Sequence, residues 1–200
     1  REECGIVDQQ SRREAQPRRR HALTRSGAGP GDDCWVSGVI GAAAAGLAML
    51  ASASPEADTE AGRPCTSAYL APEPRVRLGR LLGRNRAASS GMDLSDGLAD
   101  GLAQLAEASG AAFEIDPAAV PVAPGASAWF AAQGADPLQA AIAGGDDYEL
   151  VFTVSRRRRS RFDSRLPQLA ASLPASSDPS EQALEEVSDD VLRTRLWLQN

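Results

Sequence analysis

The stretch Gly91–Leu98 places two aspartates and a serine within four consecutive positions. Carboxylate and hydroxyl oxygens in such a stretch can bind Mg²⁺, and a bound magnesium ion can in turn hold phosphate oxygens. An apolar stripe at helical spacing runs from Leu94 to Leu105, so the same polar residues could instead cap a helix. Spacing alone leaves both interpretations open. It also predicts Ser95 or Asp96 as the N-cap of this helix and Gly110 as its C-terminal stop.

The composition of the chain limits the classes of protein to which it can belong. The chain has 200 residues, of which 42% are hydrophobic; this is a globular composition that allows one domain with a core. Its net charge of −6 argues against a dedicated nucleic-acid-binding protein, whose binding face needs excess positive charge. His21 is the single histidine, which excludes a histidine-based triad or a metal site with several histidines within one chain.

The cysteines and the hydropathy of the chain indicate its cellular compartment and whether it crosses a membrane. Cys4, Cys34 and Cys65 are odd in number and show no paired metal-ligand spacing, which predicts reduced thiols in a cytoplasmic protein. No charged residue occurs over 34–54, but Ala, Gly and Ser dominate that run. Because a membrane span needs about 20 strongly apolar residues, we expect no transmembrane helix.

Strand and helix patterns alternate from Gly29 onward, punctuated by glycine and proline. This alternation predicts an α/β (α+β) fold in which helices cover a mixed sheet. Residues 52–68 lack a stripe and are predicted to be a loop, and Leu47 and Leu50 are predicted to face the core. The predicted strands are 34–36, 88–92, 112–115 and 148–154. Besides the helix between its N-cap, Ser95 or Asp96, and Gly110, the predicted helices are 42–51, 76–82, 126–133, 137–142, 166–173 and 187–197.

Five sequence blocks carry a family resemblance. Asp93–Leu98 reads Asp-Leu-Ser-Asp-Gly-Leu, and Gly144–Phe152 reads Gly-Gly-Asp-Asp-Tyr-Glu-Leu-Val-Phe. The other three blocks are Leu23–Asp32, Val36–Gly41 and Tyr69–Val76. Together, and in this order, the blocks resemble the signatures of the thiamine-monophosphate kinases. That family is part of the ATP-binding superfamily that includes aminoimidazole ribonucleotide synthetase.

The resemblance implies a function and a set of site residues. It implies ATP- and Mg²⁺-dependent phosphorylation of thiamine monophosphate to thiamine diphosphate, and a homodimer in the full-length family. Asp93 and Asp96 would bind magnesium, while Arg25 and Ser95 would contact ATP. Asp146 stands where the family has a glutamate that contacts substrate, so the carboxylate is kept on a shorter side chain. No residue is assigned a covalent role, because phosphoryl transfer depends mainly on positioning and charge neutralisation.

The resemblance also predicts a domain organisation. Residues 1–28 correspond to a remnant or disordered lead-in of the N-terminal ATP-binding domain, residues 29–165 to the C-terminal domain of the superfamily, and residues 166–200 to a divergent tail. The acidic metal-binding motifs of the N-terminal domain do not occur in this chain. The chain is therefore predicted to be a truncated or degenerate kinase with poor turnover. The alternative is a non-catalytic remnant of the same fold that binds a nucleotide or a partner.

Two charged runs lie outside these blocks. Arg156–Arg159 is basic, and in an acidic chain we interpret it as the solvated start of a helix rather than as a nucleic-acid contact. Residues 176–186 are acidic and poor in apolar side chains. Neither run has a role in the kinase interpretation.

Overall fold

The computed structural model describes residues 22–164. Its three strands form an antiparallel sheet in the order β1-β3-β2, and a parallel bridge joins Ile40 to Val122 beside it. Helices cover both faces of the sheet, so the predicted α/β fold is confirmed. The strands are β1 (Asp33–Val36), β2 (Ser90–Asp93) and β3 (Leu150–Val154), and the helices are α1 (Ala42–Ala51), α2 (Arg63–Leu70), α3 (Val76–Asn85), α4 (Leu98–Ser109), α5 (Pro124–Ala132), α6 (Pro137–Ala143) and α7 (Arg156–Asp163).

The central strand β3 is buried on both faces. Successive side chains of a strand point to opposite sides, so Val151 contributes to one core cluster and Phe152 to another. The Val151 cluster includes leucines of α4, and the Phe152 cluster includes Leu78 of α3 and Phe162 of α7. Burial of one large apolar side chain contributes about 1.5–3 kcal/mol. The sheet is therefore held by apolar packing on both faces.

The helix α1 occupies the predicted residues but turns a different side to the core. Leu47 and Leu50 are exposed, whereas Met49 and four small residues are buried. The reason is a close helix–helix contact: a Cβ added at Gly46 would lie 2.1 Å from the carbonyl oxygen of Cys65 in α2. Only the small-residue side of α1 fits against α2, so the predicted orientation of the two leucines is wrong.

Two predicted elements also differ from the structure. The predicted loop 52–68 instead contains a short 3₁₀ helix, Pro55–Asp58, and most of α2. The predicted strand 112–115 is reduced to a bridge at Glu114. Gly110 ends α4 in the left-handed conformation, as predicted, with φ of 61°. The predicted helices 166–173 and 187–197 lie outside the described residues, as does the greater part of the predicted lead-in and tail.

Residues at the start of the described range pack on the domain. The backbone N–H of Gly91 in β2 donates to the carbonyl oxygen of Thr24 at 2.9 Å, and Leu23 packs against the core cluster that contains Phe152.

Cys34 and Cys65 are buried free thiols, and burial raises the pKa of Cys65 to about 11. Within residues 22–164, no helix is long and apolar enough to cross a membrane.

Candidate functional site

Two loop segments meet at the C-terminal end of β2. We call Asp93–Gly97 the aspartate loop and Gly144–Glu149 the diglycine turn. Leu94 exchanges backbone hydrogen bonds with the diglycine turn: its N–H donates to the Glu149 carbonyl oxygen at 2.7 Å, and its own carbonyl accepts from Tyr148 N–H at 3.1 Å. The N–H of Asp146 donates to the Ser95 carbonyl oxygen at 2.8 Å. These bonds extend the β2–β3 pairing beyond the strands and fix the two segments side by side.

Glycines allow this contact between two backbones. Gly97 has φ of 96°, and a Cβ added there would lie 2.2 Å from the carbonyl oxygen of Gly144. A Cβ added at Gly145 would lie 2.7 Å from the carbonyl oxygen of Ser95. Real side chains do not tolerate such distances, and the positive φ of Gly97 excludes most other residues on its own. The glycines of both motifs are therefore required by the junction.

The junction gathers four of the residues singled out in the sequence. Ser95 and the exposed Asp93 and Asp96 belong to the aspartate loop, and the exposed Asp146 belongs to the diglycine turn. The capping interpretation of the aspartates is wrong: α4 begins at Leu98, its N-cap is Gly97, and no side chain caps it. Neither aspartate is used to close the helix, so both carboxylates face solvent at an uncapped helix N-terminus.

Arg25 is anchored elsewhere along α4. Its carbonyl oxygen accepts a hydrogen bond of 3.2 Å from the hydroxyl of Ser109, which is the last residue of α4. A helix of 12 residues is about 18 Å long. The backbone of Arg25 is thus held at the end of α4 opposite to the aspartate loop, and its predicted contact with ATP stays a prediction.

The chemistry of the junction fits part of a magnesium site. Mg²⁺ is usually bound by one or two carboxylates, several waters and substrate phosphates, and the aspartate loop carries two exposed carboxylates, those of Asp93 and Asp96. Within the described part of the chain, no group of three or more His, Cys, Asp or Glu side chains is arranged to hold a metal ion. The remaining ligands would therefore have to come from phosphate, from water or from outside residues 22–164.

Asp147 links the diglycine turn to the start of α1. Its two carboxylate oxygens accept hydrogen bonds from the backbone N–H groups of Gly41, at 2.7 Å, and Ala43, at 3.1 Å. They cap a helix that has no side-chain cap of its own. Burial raises the pKa of Asp147 to about 6, against the opposing effect of the two N–H donors; the neighbouring carboxylates of Glu149 and Asp146 raise it further.

This raised pKa predicts a pH dependence of folding. The ordinary pKa of the Asp147 carboxyl group is 3.8, and the folded protein raises it to about 6. Because the folded state binds this proton more tightly than the unfolded state, protonation of Asp147 favours folding. Stability should therefore fall as pH rises from about 4 to about 6, by up to about 3 kcal/mol. We expect the free energy of unfolding of the wild type to decrease over that range relative to Asp147→Asn, which cannot titrate. Urea unfolding of both proteins at several pH values tests this, and a constant difference would contradict it.

A buried ion pair between Arg75 and Glu149 stabilises the C-terminal end of the diglycine turn. Arg75 donates two hydrogen bonds to the carboxylate of Glu149, from Nε at 2.9 Å and from Nη2 at 2.5 Å. Ser37 adds a short hydrogen bond from its hydroxyl to the same carboxylate and accepts the N–H of Leu150 at 2.8 Å. Glu149 is only 4% exposed, so this bidentate arrangement is what allows a carboxylate inside the domain.

The sequence did not predict these partners of Asp147 and Glu149. One signal was available. Glu149 precedes the apolar run Leu150–Val154 directly, and a carboxylate buried beside such a strand requires a cationic partner. Arg75 lies within another of the five motif blocks. The two blocks are therefore coupled by an ion pair.

Comparisons with known proteins test the resemblance of the chain to the thiamine-monophosphate kinases. No protein-family model matches the chain. Over 148 residues the chain is 40% identical to the thiamine-monophosphate kinase of Escherichia coli (strain K12), an alignment that covers 74% of this chain and 44% of the relative. The chain therefore spans less than half the length of this curated relative.

Solved structures agree with the sequence comparison. The thiamine-monophosphate kinase from Stenotrophomonas maltophilia K279a superposes with a TM-score of 0.66 at 28% identity, over 89% of this chain and 50% of that chain. A complex of AaThiL with AMPPCP and TMP gives a TM-score of 0.62 at 31% identity, over 68% and 43%. The partial coverage fits a correspondence to the C-terminal portion. In sequence and in fold, this chain is thus similar to about half of a thiamine-monophosphate kinase.

Proposed function

We propose that this chain forms one side of the site of a kinase that phosphorylates thiamine monophosphate to thiamine diphosphate with ATP and Mg²⁺. One observation carries the proposal: the backbone pairing of the aspartate loop with the diglycine turn, which gathers Asp93, Ser95, Asp96 and Asp146. The AaThiL complex with AMPPCP and TMP, whose chain is similar to this one, supports the choice of ligands. The homodimer implied by the resemblance is a further prediction.

Each residue would have a defined task. Asp93 and Asp96 would hold magnesium, which neutralises phosphate charge when bound. The hydroxyl of Ser95 can donate to a phosphate oxygen, and the uncapped N-terminus of α4 favours an anion on the same side. Asp146 offers a carboxylate to the substrate from the facing turn. Arg25 would contact ATP through its guanidinium group, which suits phosphate oxygens.

A second function has support from the described residues. Within residues 22–164, no group of three or more His, Cys, Asp or Glu side chains is arranged to hold a metal ion. Phosphoryl transfer needs its full set of charge-neutralising groups. The aspartate loop could bind a magnesium–nucleotide complex without turning it over, as a non-catalytic nucleotide-binding form of the fold.

Turnover separates the two functions. We expect the chain on its own to form thiamine diphosphate slowly from ATP, Mg²⁺ and thiamine monophosphate, and Asp93→Asn to abolish this formation. Chromatographic detection of the product measures it, with Asp100→Asn as the control because Asp100 is an exposed residue in the first turn of α4. Nucleotide binding without any product would favour the second function. Product formation that survives Asp93→Asn would contradict the proposed role of the aspartate loop.

A further inference from the structure

A strongly basic surface covers one side of the sheet. Helices α3 and α7 pack on the same face, where Leu78, Leu82 and Phe162 belong to one core cluster. Their outward sides carry exposed arginines, and Asp163 is the only acidic residue in either helix. We call these exposed side chains the arginine face. It consists of Arg77, Arg80, Arg84, Arg156, Arg157 and Arg161, together with the exposed Arg86 that directly follows α3.

The arginine face differs from two neighbouring arginines, which bond within the domain: Arg158 donates to the carbonyl oxygen of Ala88, and Arg159 pairs with Asp33. In the described part of the chain, by contrast, no arginine of the arginine face forms an ion pair with a carboxylate. Like charges gathered on one surface repel one another and attract anions. An acidic segment is therefore complementary in charge to the arginine face.

We propose that the acidic segment 178–190 of this same chain docks on the arginine face. The segment contains six carboxylates and no basic residue; the six are Asp178, Glu181, Glu185, Glu186, Asp189 and Asp190. Its charge is complementary to a face of seven arginines. A chain with a net charge of −6 repels free polyanions, whereas a tethered segment is present at a high effective concentration.

The length of the chain permits this docking. Asp178 is the fourteenth residue after Ser164, which follows directly on α7 and ends the described range. Fourteen extended residues span up to about 46 Å, whereas α3, with 10 residues, is only about 15 Å long. The linker is thus about three times as long as α3, which packs in the same core cluster as α7.

Proteolysis of the full-length chain tests the proposal. A glutamyl endopeptidase cuts after Glu181, Glu185 and Glu186, and docking slows these cuts. At low salt we expect the triple variant Arg77→Gln/Arg80→Gln/Arg84→Gln to be cut there roughly tenfold faster than the wild type, because three charge pairs are lost. The matched control Arg12→Gln/Arg13→Gln/Arg18→Gln changes the net charge equally and should leave the rate unchanged. Wild type in about 1 M salt should be cut as fast as the triple variant.

Each other outcome overturns the proposal. Equal rates in wild type and triple variant, with no effect of salt, would mean that the arginine face is only solvated. Acceleration by the control variant instead would assign the acidic segment to the arginine-rich start of the chain. A wild-type rate that falls with protein concentration would assign the face to a second copy. Binding of inorganic polyphosphate without any change in cleavage would assign it to an outside polyanion.

Discussion

Replacing Glu149 by glutamine is expected to lower the free energy of unfolding by about 3 kcal/mol, the lower end of the cost of breaking a buried ion pair. The lower end applies because the side chain of Arg75 is 20% exposed, so water can partly solvate it. Glutamine keeps the size of the side chain but places an amide where Arg75 and Ser37 both donate. Since the Glu149 backbone also holds Leu94 in the aspartate loop, the loss should loosen the candidate site as well.

The matched control is Glu73→Gln, which touches the same arginine from the surface. Glu73 lies 4.0 Å from Arg75 and is 58% exposed, so its neutralisation should change stability by less than about 0.5 kcal/mol. Urea unfolding of both variants measures the difference. A double-mutant cycle with Arg75→Met then isolates the pair. Equal stability losses in the two glutamine variants would contradict a dominant buried pair.

Replacing Asp96 by asparagine is expected to weaken binding of a magnesium–nucleotide complex at least tenfold. Loss of an outer-shell partner alone costs roughly 10–100-fold in metal affinity, and Asp96 would be a direct ligand. Without Mg²⁺ the sign should reverse, because the variant removes one negative charge from the vicinity of the phosphates. Stability should stay within about 0.5 kcal/mol of the wild type, since the carboxylate is exposed and caps no helix.

Asp100→Asn provides the control for this experiment. It removes the same charge from the first turn of α4, three residues after the N-cap Gly97. Its affinity for the magnesium–nucleotide complex should stay close to that of the wild type. If Asp96→Asn instead melts early and binds normally, the residue supports the fold and the metal-site interpretation is wrong.

Local signals were sufficient for much of the fold. The helix 42–51 was predicted at its observed bounds, and Gly110 ends α4 because a left-handed residue suits that position. The start of α4 was missed for a non-local reason. Leu94 is buried like a helix residue, but its backbone pairs with Tyr148 and Glu149, so it prolongs the strand. The pattern of apolar residues could not distinguish these two environments.

Long-range contacts explain what the sequence did not predict at the site. The motif resemblance identified Asp93, Ser95, Asp96 and Asp146, and the structure places all four at one junction. The residues that fix this junction have partners far along the chain: Glu149 binds an arginine 74 residues away, and the Asp147 carboxylate caps a helix over 100 residues away. A single sequence carries no direct signal for such pairs. Only the burial of a carboxylate beside an apolar strand indicated that a partner was needed.

The most direct test of the proposed magnesium–phosphate site is whether the wild-type chain requires Mg²⁺ to bind a nucleotide. Calorimetric titration with AMPPCP, a nucleotide found in the AaThiL complex, can be made with Mg²⁺ and again with EDTA. We expect AMPPCP to bind with Mg²⁺ and to bind at least tenfold more weakly without it. The reason is that carboxylates of the aspartate loop repel bare phosphates and attract them only through a cation. Equal affinity under both conditions, or no binding in either, would contradict the assignment of the aspartate loop as a magnesium–phosphate site.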